Sequence, residues 1–482
     1  MTDSELRYGT SQARWVIGAA VAGSGIAFLD STVVNVALPH ISADLGGGLA
    51  GLQWTLDAYL VTMTSLLLLG GSLGDLYGRR RVFLLGLIGF SVASLACGLA
   101  PTIGLLIAFR GLQGAAGALL VPSSLAIISA SFHPDDRARA VGAWSGLGAA
   151  AGAVGPFVGG WLVDAFSWRP VFFINLPLAA AAVIVTRRHV PESSEGVGAR
   201  RPDLQGAGLI TVALAATTYG LIEVAGGLTA AVAVALVTGA VALIGFVVVE
   251  TRVRHPLLPL GLFRSRQFSG ANLVTLAVYA GLGVTSFLIV VQLQVGLGYS
   301  ALAAGAALLP VTVLMAAFSA RSGALAQRIG PRPQMTVGPL LVAAGLLLYT
   351  RVQPGGSYLA VVLPGAVVFG IGVTLLVAPL TATVLAAVDN HQAGIASGVN
   401  NAVARLASLL AIAILPGLAG ITAAEPGVGF GPGFATALQL AAGLCVLGSI
   451  VAFATIRTAE RVRTVSQSLQ VACQDPCLAR TT

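Results

Sequence analysis

Ionisable side chains are what can move a proton or hold a charge, and three of them stand in this 482-residue chain where water is scarce. Asp30 interrupts the apolar run "AGSGIAFLDSTVVNVALPHI" (22–41), Asp57 lies in "LQWTLDAYLV" (52–61), and Arg110 opens "RGLQGAAGALLVPSS" (110–124). A carboxylate at bilayer depth costs roughly 2.5–3.5 kcal/mol on insertion scales. Desolvation favours the neutral form of such a group, so a carboxyl held in oil can take up and release protons at cellular pH. An arginine cannot shed its charge, and Arg110 therefore needs a partner or a water-filled cavity. Glu223, in "TYGLIEVAG", reads as an interfacial acid, and Asp44, Asp164 and Glu425 read as solvated loop acids. Arg405 reads as lying nearer a cytosolic end and reaching the interface from there.

Other chemistries lack their residues. No nucleophile–base pair or metal cluster stands in the loops, and "G-x-S-x-G" does not occur. Every basic residue is Arg, so the P-loop pattern "G-x-x-x-x-G-K-[ST]" cannot be present and ATP-driven pumping by this chain is excluded. His40, His133, His189, His255 and His391 fall between apolar runs. Cys97 and Cys445 read as packing residues; Cys473 and Cys477, as C-x-x-x-C, supply two ligands, too few for a metal site. No cofactor and no metal are expected.

The elements that must position these groups follow from composition. The chain is 56% hydrophobic and only 9% charged, with a mean hydropathy of +0.90, whereas a soluble domain carries about 25% charged residues. The apolar runs have the length needed to cross a hydrocarbon core and lack the alternating period of barrel strands. The fold class is therefore an all-α polytopic membrane protein. The runs predict about fourteen transmembrane helices, near 15–38, 52–73, 81–99, 103–131, 138–162, 171–187, 204–224, 229–249, 268–295, 301–325, 334–351, 357–384, 393–417 and 433–456.

Arginines set the orientation. Arg79, Arg80, Arg81, Arg137, Arg139, Arg187, Arg188, Arg200 and Arg201 lead a set confined to alternate loops, while the opposite loops hold only Arg169 and Arg351. Both termini are thus expected in the cytosol. The formal charge of +8 is topological and implies no nucleic-acid partner.

The chain also repeats itself. "GSLGDLYGRRR" (71–81) matches "GALAQRIGPRP" (323–333), "VPSSLAII" (121–128) is echoed by "APLTATVL" (378–385), and "RAVGAWSG" (139–146) more weakly by "GIASGVNN" (394–401), all at offsets of about 255 residues. The implied division is an N-terminal six-helix bundle (1–188), a linker with two extra transmembrane helices (189–250), a C-terminal six-helix bundle (251–457) and a cytosolic tail (458–482). Repeated halves with a site between them are the usual build of secondary transporters.

At these motifs the sequence resembles the major facilitator superfamily, and within it the fourteen-helix drug:proton antiporter branch. The resemblance rests on "LDSTVVNVALPHI" (29–41), "GSLGDLYGRRR", "RGLQGAAGALLVPSS", "AGAVGPFVGGW" (151–161) and "HPLLPLGLFRSRQFSGAN" (255–272). It implies proton coupling through Asp30, Asp57 and Arg110, with Asp30 foremost because it belongs to the branch-specific motif. It makes Gly71, Asp75, Gly78, Arg79 and Arg80 a conformational latch, in which Asp75 pairs with a cation or a helix N-terminus in one state only; a plain topology anchor is the alternative. Leu76 stands where the family has a basic residue, and the second copy has Gln327 for the acid, so any latch is one-sided. Gly152, Gly155, Pro156, Gly159 and Gly160 form the helix-5 antiporter motif, whose smooth face would seal a leak path or serve ordinary small-residue packing. For Arg110 the alternative to tuning a nearby acid is a structural tie to carbonyls.

The expected function is proton-driven export by alternating access. The partners are an amphiphilic small molecule, protons and the lipid bilayer of the cell membrane, and the chain is expected to act as a monomer. Asn35, Tyr59, Gln113, Gln292, Gln294, Asn400 and Asn401 are the candidate cavity groups. The alternatives are a dedicated exporter of one endogenous metabolite and a transport-inactive sensor with the same fold; sodium in place of protons would use the same carboxylates.

Overall fold

Hydrocarbon offers no water to a free N–H or C=O, so apolar runs of this length satisfy their backbones internally as helices. The computed structural model describes residues 6–194, 203–253, 256–388, 392–421, 423 and 429–457. Its helices are α1 (Ser11–Leu45), α2 (Gly48–Tyr77), α3 (Arg79–Gly98), α4 (Ile103–Ser131), α5 (Pro134–Ala165), α6 (Pro170–Phe173), α7 (Asn175–His189), α8 (Leu204–Glu223), α9 (Ala230–Arg252), α10 (Arg266–Val291), α11 (Ala301–Ala306), α12 (Leu309–Ile329), α13 (Pro331–Tyr349), α14 (Leu363–Ala386), α15 (Ala393–Leu418) and α16 (Gly431–Thr455). Expectations placed on Arg200, Arg201, His255, His391, Glu425, Cys473, Cys477 and the tail beyond 457 lie outside the described residues.

Thirteen helical segments among the described residues are long and apolar enough to cross a bilayer. The helix α13, 19 residues long, is more polar because Pro331, Arg332, Pro333 and Gln334 open it. It packs between α14 and α16 and completes the expected set of fourteen. Two spans are broken where a proline withholds its N–H. Pro177 follows the gap between α6 and α7, and Pro310 that between α11 and α12. The first helix runs well past its predicted end, to Leu45, so His40 lies inside it rather than between runs.

Side chains cap several helix starts, satisfying N–H groups that have no intrahelical acceptor. Thr10 accepts from the N–H of Ala13 (3.2 Å), Ser265 from Phe268 (3.3 Å) and Ser300 from Ala303 (3.2 Å). The sequence repeat has a conformational counterpart. Gly78 closes α2 at φ 103° and Gly330 closes α12 at φ 84°, a region that residues with a Cβ rarely enter. Pro122 inside α4 and Pro379 inside α14 likewise occupy matching places.

The helices α1–α5 and α7 pack on one another, as do α10 and α12–α16. The hairpin α8–α9 lies against α2 and α15, beside the seam between these two groups. Call the end that carries Ser11 and Thr455 the terminal end, and the opposite one the far end. The two groups meet through α5 with α11, α1 with α10 and α2 with α15. One apolar cluster joins Val36, Leu38 and Ile41 of α1 to Val284 and Leu288 of α10.

Candidate functional site

Two of the three costly residues of the sequence, Asp30 and Arg110, come together inside the first group of helices. On α1, Asp30 stands nineteen residues after Ser11, past the helix midpoint toward the far end. Across from it, on α4, Arg110 donates from Nη1 to Asp30 Oδ2 at 2.5 Å and to Gln113 Oε1 at 2.7 Å. Its Nε donates to the carbonyl of Thr55 on α2 at 3.0 Å. Gln113 sits one turn along α4, so the i,i+3 spacing brings both side chains to the same face. Its Nε2 donates to Asp30 Oδ1 (2.9 Å) and to Ser94 Oγ on α3 (3.1 Å).

Asn175 completes the cluster. Because the chain breaks at residue 174, α7 begins with Asn175, whose Nδ2 donates to Asp30 Oδ1 (3.0 Å) and Ser94 Oγ (2.9 Å). The carboxylate thus receives three donors and a full positive charge. Asp30 and Arg110 are each 1% exposed. The guanidinium lies 4.4 Å from the centre of the Tyr59 ring, a cation–π contact in a dry setting. A desolvated pair of this kind is held by its additional hydrogen bonds as much as by Coulomb attraction.

Asp57 is placed differently. It is wholly buried on α2, and neither carboxylate oxygen has a hydrogen-bond partner among the described residues. Its helix is tied to the cluster by the Thr55 carbonyl and to the other half by Gln53, whose Nε2 donates to the Ile412 carbonyl on α15 at 2.5 Å. One carboxylate in this region is therefore charge-paired and the other unpartnered.

Around the turn between α2 and α3, the Asp75 carboxylate accepts from Arg79 Nη2 (2.7 Å) and Nε (2.9 Å), four residues on across Gly78. The Arg80 N–H donates to Glu192 (3.0 Å) and its guanidinium to the Val190 carbonyl (3.1 Å). Gly71 packs on Pro122. Each of these contacts stays within the first group of helices, and Glu192, which the sequence did not single out, anchors the turn.

The helix-5 motif faces two ways. Gly152, Gly155 and Gly159 lie on α1 against Phe28, Thr32 and Val33, and Thr32 Oγ1 donates to the Gly152 carbonyl at 2.9 Å. Gly160 meets α11 of the other half: a Cβ there would stand 2.5 Å from Leu302 Cα and 2.6 Å from the Ala301 carbonyl oxygen. Pro156 packs on Gly305 of the same helix. Asp164, expected to be a solvated loop acid, is exposed but stands in the last turn of α5 and accepts from the N–H groups of Ala301 (2.9 Å) and Leu302 (2.8 Å). A carboxylate at a helix N-terminus is favoured by the helix dipole, so Asp164 clasps the two halves at the far end. Asp44 is also engaged, accepting from Trp168 Nε1 (2.9 Å) and Arg169 (3.3 Å).

Of the expected cavity groups, Tyr59 and Gln113 belong to the Asp30 cluster. Asn35 donates to the Ser31 carbonyl of its own helix (3.0 Å). Gln292 accepts from the Phe430 N–H (2.9 Å), and Gln294 donates to the Val36 carbonyl (2.9 Å); both are buried in far-end packing rather than facing a cavity. Asn400 and Asn401 do line one, a space of about 110 Å³ shared with Tyr279, Thr381, Val384, Leu385, Ser397 and Ala404. There Asn400 Nδ2 donates to Asn272 Oδ1 (3.1 Å) and Thr275 Oγ1 (2.7 Å). Arg405 also departs from expectation. It is twelve residues into α15, about 18 Å along the helix, and its Nη1 meets Met63 Sδ of α2 at 3.2 Å. No group of three or more His, Cys, Asp or Glu able to hold a metal ion is present among the described residues.

Comparison with known proteins accords with the helical membrane fold. A profile described as Major Facilitator Superfamily matches residues 20–412. The chain is 37% identical over 391 residues to "Multidrug resistance protein Stp" of Mycobacterium tuberculosis, covering 80% of this chain and 72% of that protein. It is 36% identical over 420 residues to the "Probable actinorhodin transporter" of Streptomyces coelicolor, covering 83% and 72%. In fold it is similar to a POT family transporter solved with 5-aminolevulinic acid, at a TM-score of 0.69 and 13% identity over 93% of this chain and 96% of that one.

Proposed function

This chain belongs to the Major Facilitator Superfamily, a multi-span transporter and not an enzyme, and on that premise we propose that it exports amphiphilic drugs or antibiotics in exchange for protons by alternating access. The arginine asymmetry of the loops puts the terminal end in the cytosol. The clasp of Asp164 on α11 and the approach of Gly160 to Leu302 then close the external side, and the arrangement faces the cytosol.

The observation that carries the proposal is the contrast between two buried carboxylates. Asp30 accepts from Arg110, Gln113 and Asn175, the arrangement expected after its proton has left. Asp57 has no partner for either oxygen among the described residues, an environment that a bound proton relieves. When the bundles rock and open outward, a proton from the high-concentration side displaces Arg110 from Asp30; its later loss to the cytosol restores the pair. A proton entering down 100 mV supplies roughly 2.3 kcal/mol, enough to hold about a fifty-fold gradient of a neutral substrate. Asp75, paired with Arg79 in the cytosol-facing state, would exchange that partner for one across the seam in the outward-facing state.

Purified protein in sodium-free liposomes, energised by a pH gradient, tests this. Substrate accumulation that collapses when the gradient is dissipated is expected. Movement that requires sodium and ignores the pH gradient would refute proton coupling. A second reading, dedicated export of one metabolite, is favoured by the similarity to a protein named for a single compound, actinorhodin. A panel of efflux substrates separates the two, because export confined to one scaffold rules out the multidrug reading.

A further inference from the structure

Arg405 is a second cation at membrane depth, and its surroundings differ from those of Arg110. Among the described residues it enters no ion pair, its Nε has no hydrogen-bond partner, and Nη1 meets only the Met63 sulfur, a weak acceptor. The ionisable groups bearing on it are Tyr59 and Tyr279, neutral phenols on α2 and α10. Asp30 is already committed to Arg110. The seam between α2 and α15 therefore carries an uncompensated positive charge, half-buried and turned toward the opposite half of the protein.

The same face of α15 leads from Arg405 toward the cytosolic end through Asn401 and Ser397, spaced four residues apart and so stacked along the helix. Both line the 110 Å³ cavity together with Tyr279, Thr381 and Asn400. That volume equals only a few waters at about 30 Å³ each, whereas drug-sized ligands occupy pockets of roughly 300–1,000 Å³. The space thus suits the head group of an amphiphile. Its hydroxyls and the Asn401 amide offer hydrogen bonds, and the fixed charge one turn further in is positive.

We infer that Arg405, with Asn401 one turn below it, anchors the anionic head group of the substrate, so that the exported class is acidic amphiphiles bearing a carboxylate or phenolate rather than organic cations. This rests on the export reading and narrows it: a cationic drug would bring its charge toward Arg405 with no acid between them, while an anion supplies the counter-charge that the seam lacks.

The test uses three fluorescent amphiphiles of similar size: dansylglycine, its methyl ester, and a dansylamide with a trimethylammonium tail. Affinity for the purified full chain is measured by equilibrium dialysis, and movement of the same probes is followed in proteoliposomes under a pH gradient. The wild type is expected to bind dansylglycine at least tenfold more tightly than either other probe. In Arg405→Gln the dansylglycine-to-ester affinity ratio should fall at least tenfold; in Arg405→Lys most of it should survive. Asn401→Ala, a smaller change at the cavity wall, should lower the ratio about threefold and provides the readout if Arg405→Gln does not fold. Equal binding of the three probes, a preference for the ammonium probe, or an unchanged ratio in a folded Arg405→Gln protein overturns the inference. If charge preference is found but no probe moves under the gradient, the export reading falls and the anion site stands. If the ester and ammonium probes move and the ratio ignores Arg405, export stands and the anion site falls.

Discussion

Replacing Asp30 by asparagine keeps the shape of the side chain and removes its charge. In the structure that charge accepts from Arg110 at 2.5 Å, Gln113 at 2.9 Å and Asn175 at 3.0 Å. Asparagine offers one acceptor oxygen and one NH2 where the carboxylate offered two acceptors, so either Arg110 or the amides of Gln113 and Asn175 lose their acceptor, and Arg110, 1% exposed, loses its counter-charge in both cases. Removing one member of a buried pair costs about 3–5 kcal/mol, because the other charge is left uncompensated. At the lower figure the unfolding equilibrium shifts about 150-fold. Removing both members is far milder, so the double variant Asp30→Asn, Arg110→Gln should recover to within about 1–2 kcal/mol of the wild type. Equilibrium unfolding in mixed micelles gives the stabilities, and their non-additivity gives the coupling between the two positions. Gradient-driven transport in liposomes is measured alongside, and both variants should be inactive in it. The reasoning fails if Asp30→Asn is within about 1 kcal/mol of the wild type, if the double variant shows no recovery, or if either variant still pumps under a pH gradient.

The remaining predictions separate stability from transport at other positions. Asp57→Asn removes no hydrogen bond seen in the structure, so stability should hold within about 1 kcal/mol, while proton-coupled transport falls; a large loss of stability would reveal a partner for Asp57. Gly160→Leu would drive a side chain into the backbone of α11. It should leave insertion intact, abolish transport, and raise labelling from the external side of a cysteine introduced by Asn35→Cys; unchanged labelling would show that this contact does not close that end. Asp164→Ala removes the cap on Ala301 and Leu302 and should lower thermal stability by roughly 0.5–2 kcal/mol, with Asp164→Asn intermediate.

Much of the site was visible in the sequence because oil makes polar residues conspicuous. Asp30, Asp57 and Arg110 stood out by the cost of placing them at depth, and that argument needs no partner. Asn175 was open to the same argument, as an amide inside an apolar run, yet it was overlooked because it carries no charge. Asp164 and Arg405 were misplaced for a different reason. Whether an exposed acid near a helix end also caps a helix 137 residues away, and whether an arginine reaches lipid head groups or another bundle, depends on neighbours remote in the chain.

By itself the sequence determined that the chain is a helical membrane protein, where its spans run and that it is built twice over. Length and polarity of the runs decide these things against a solvent that is uniform along each span, so local composition is sufficient. Only the tertiary structure decided that, among the described residues, Asp30 is paired while Asp57 is not, that Gly160 serves the seam while Gly155 serves α1, and that Arg405 meets no counter-charge. Those outcomes depend on which helix faces come into contact, and in hydrocarbon each contact decides whether a polar group is satisfied.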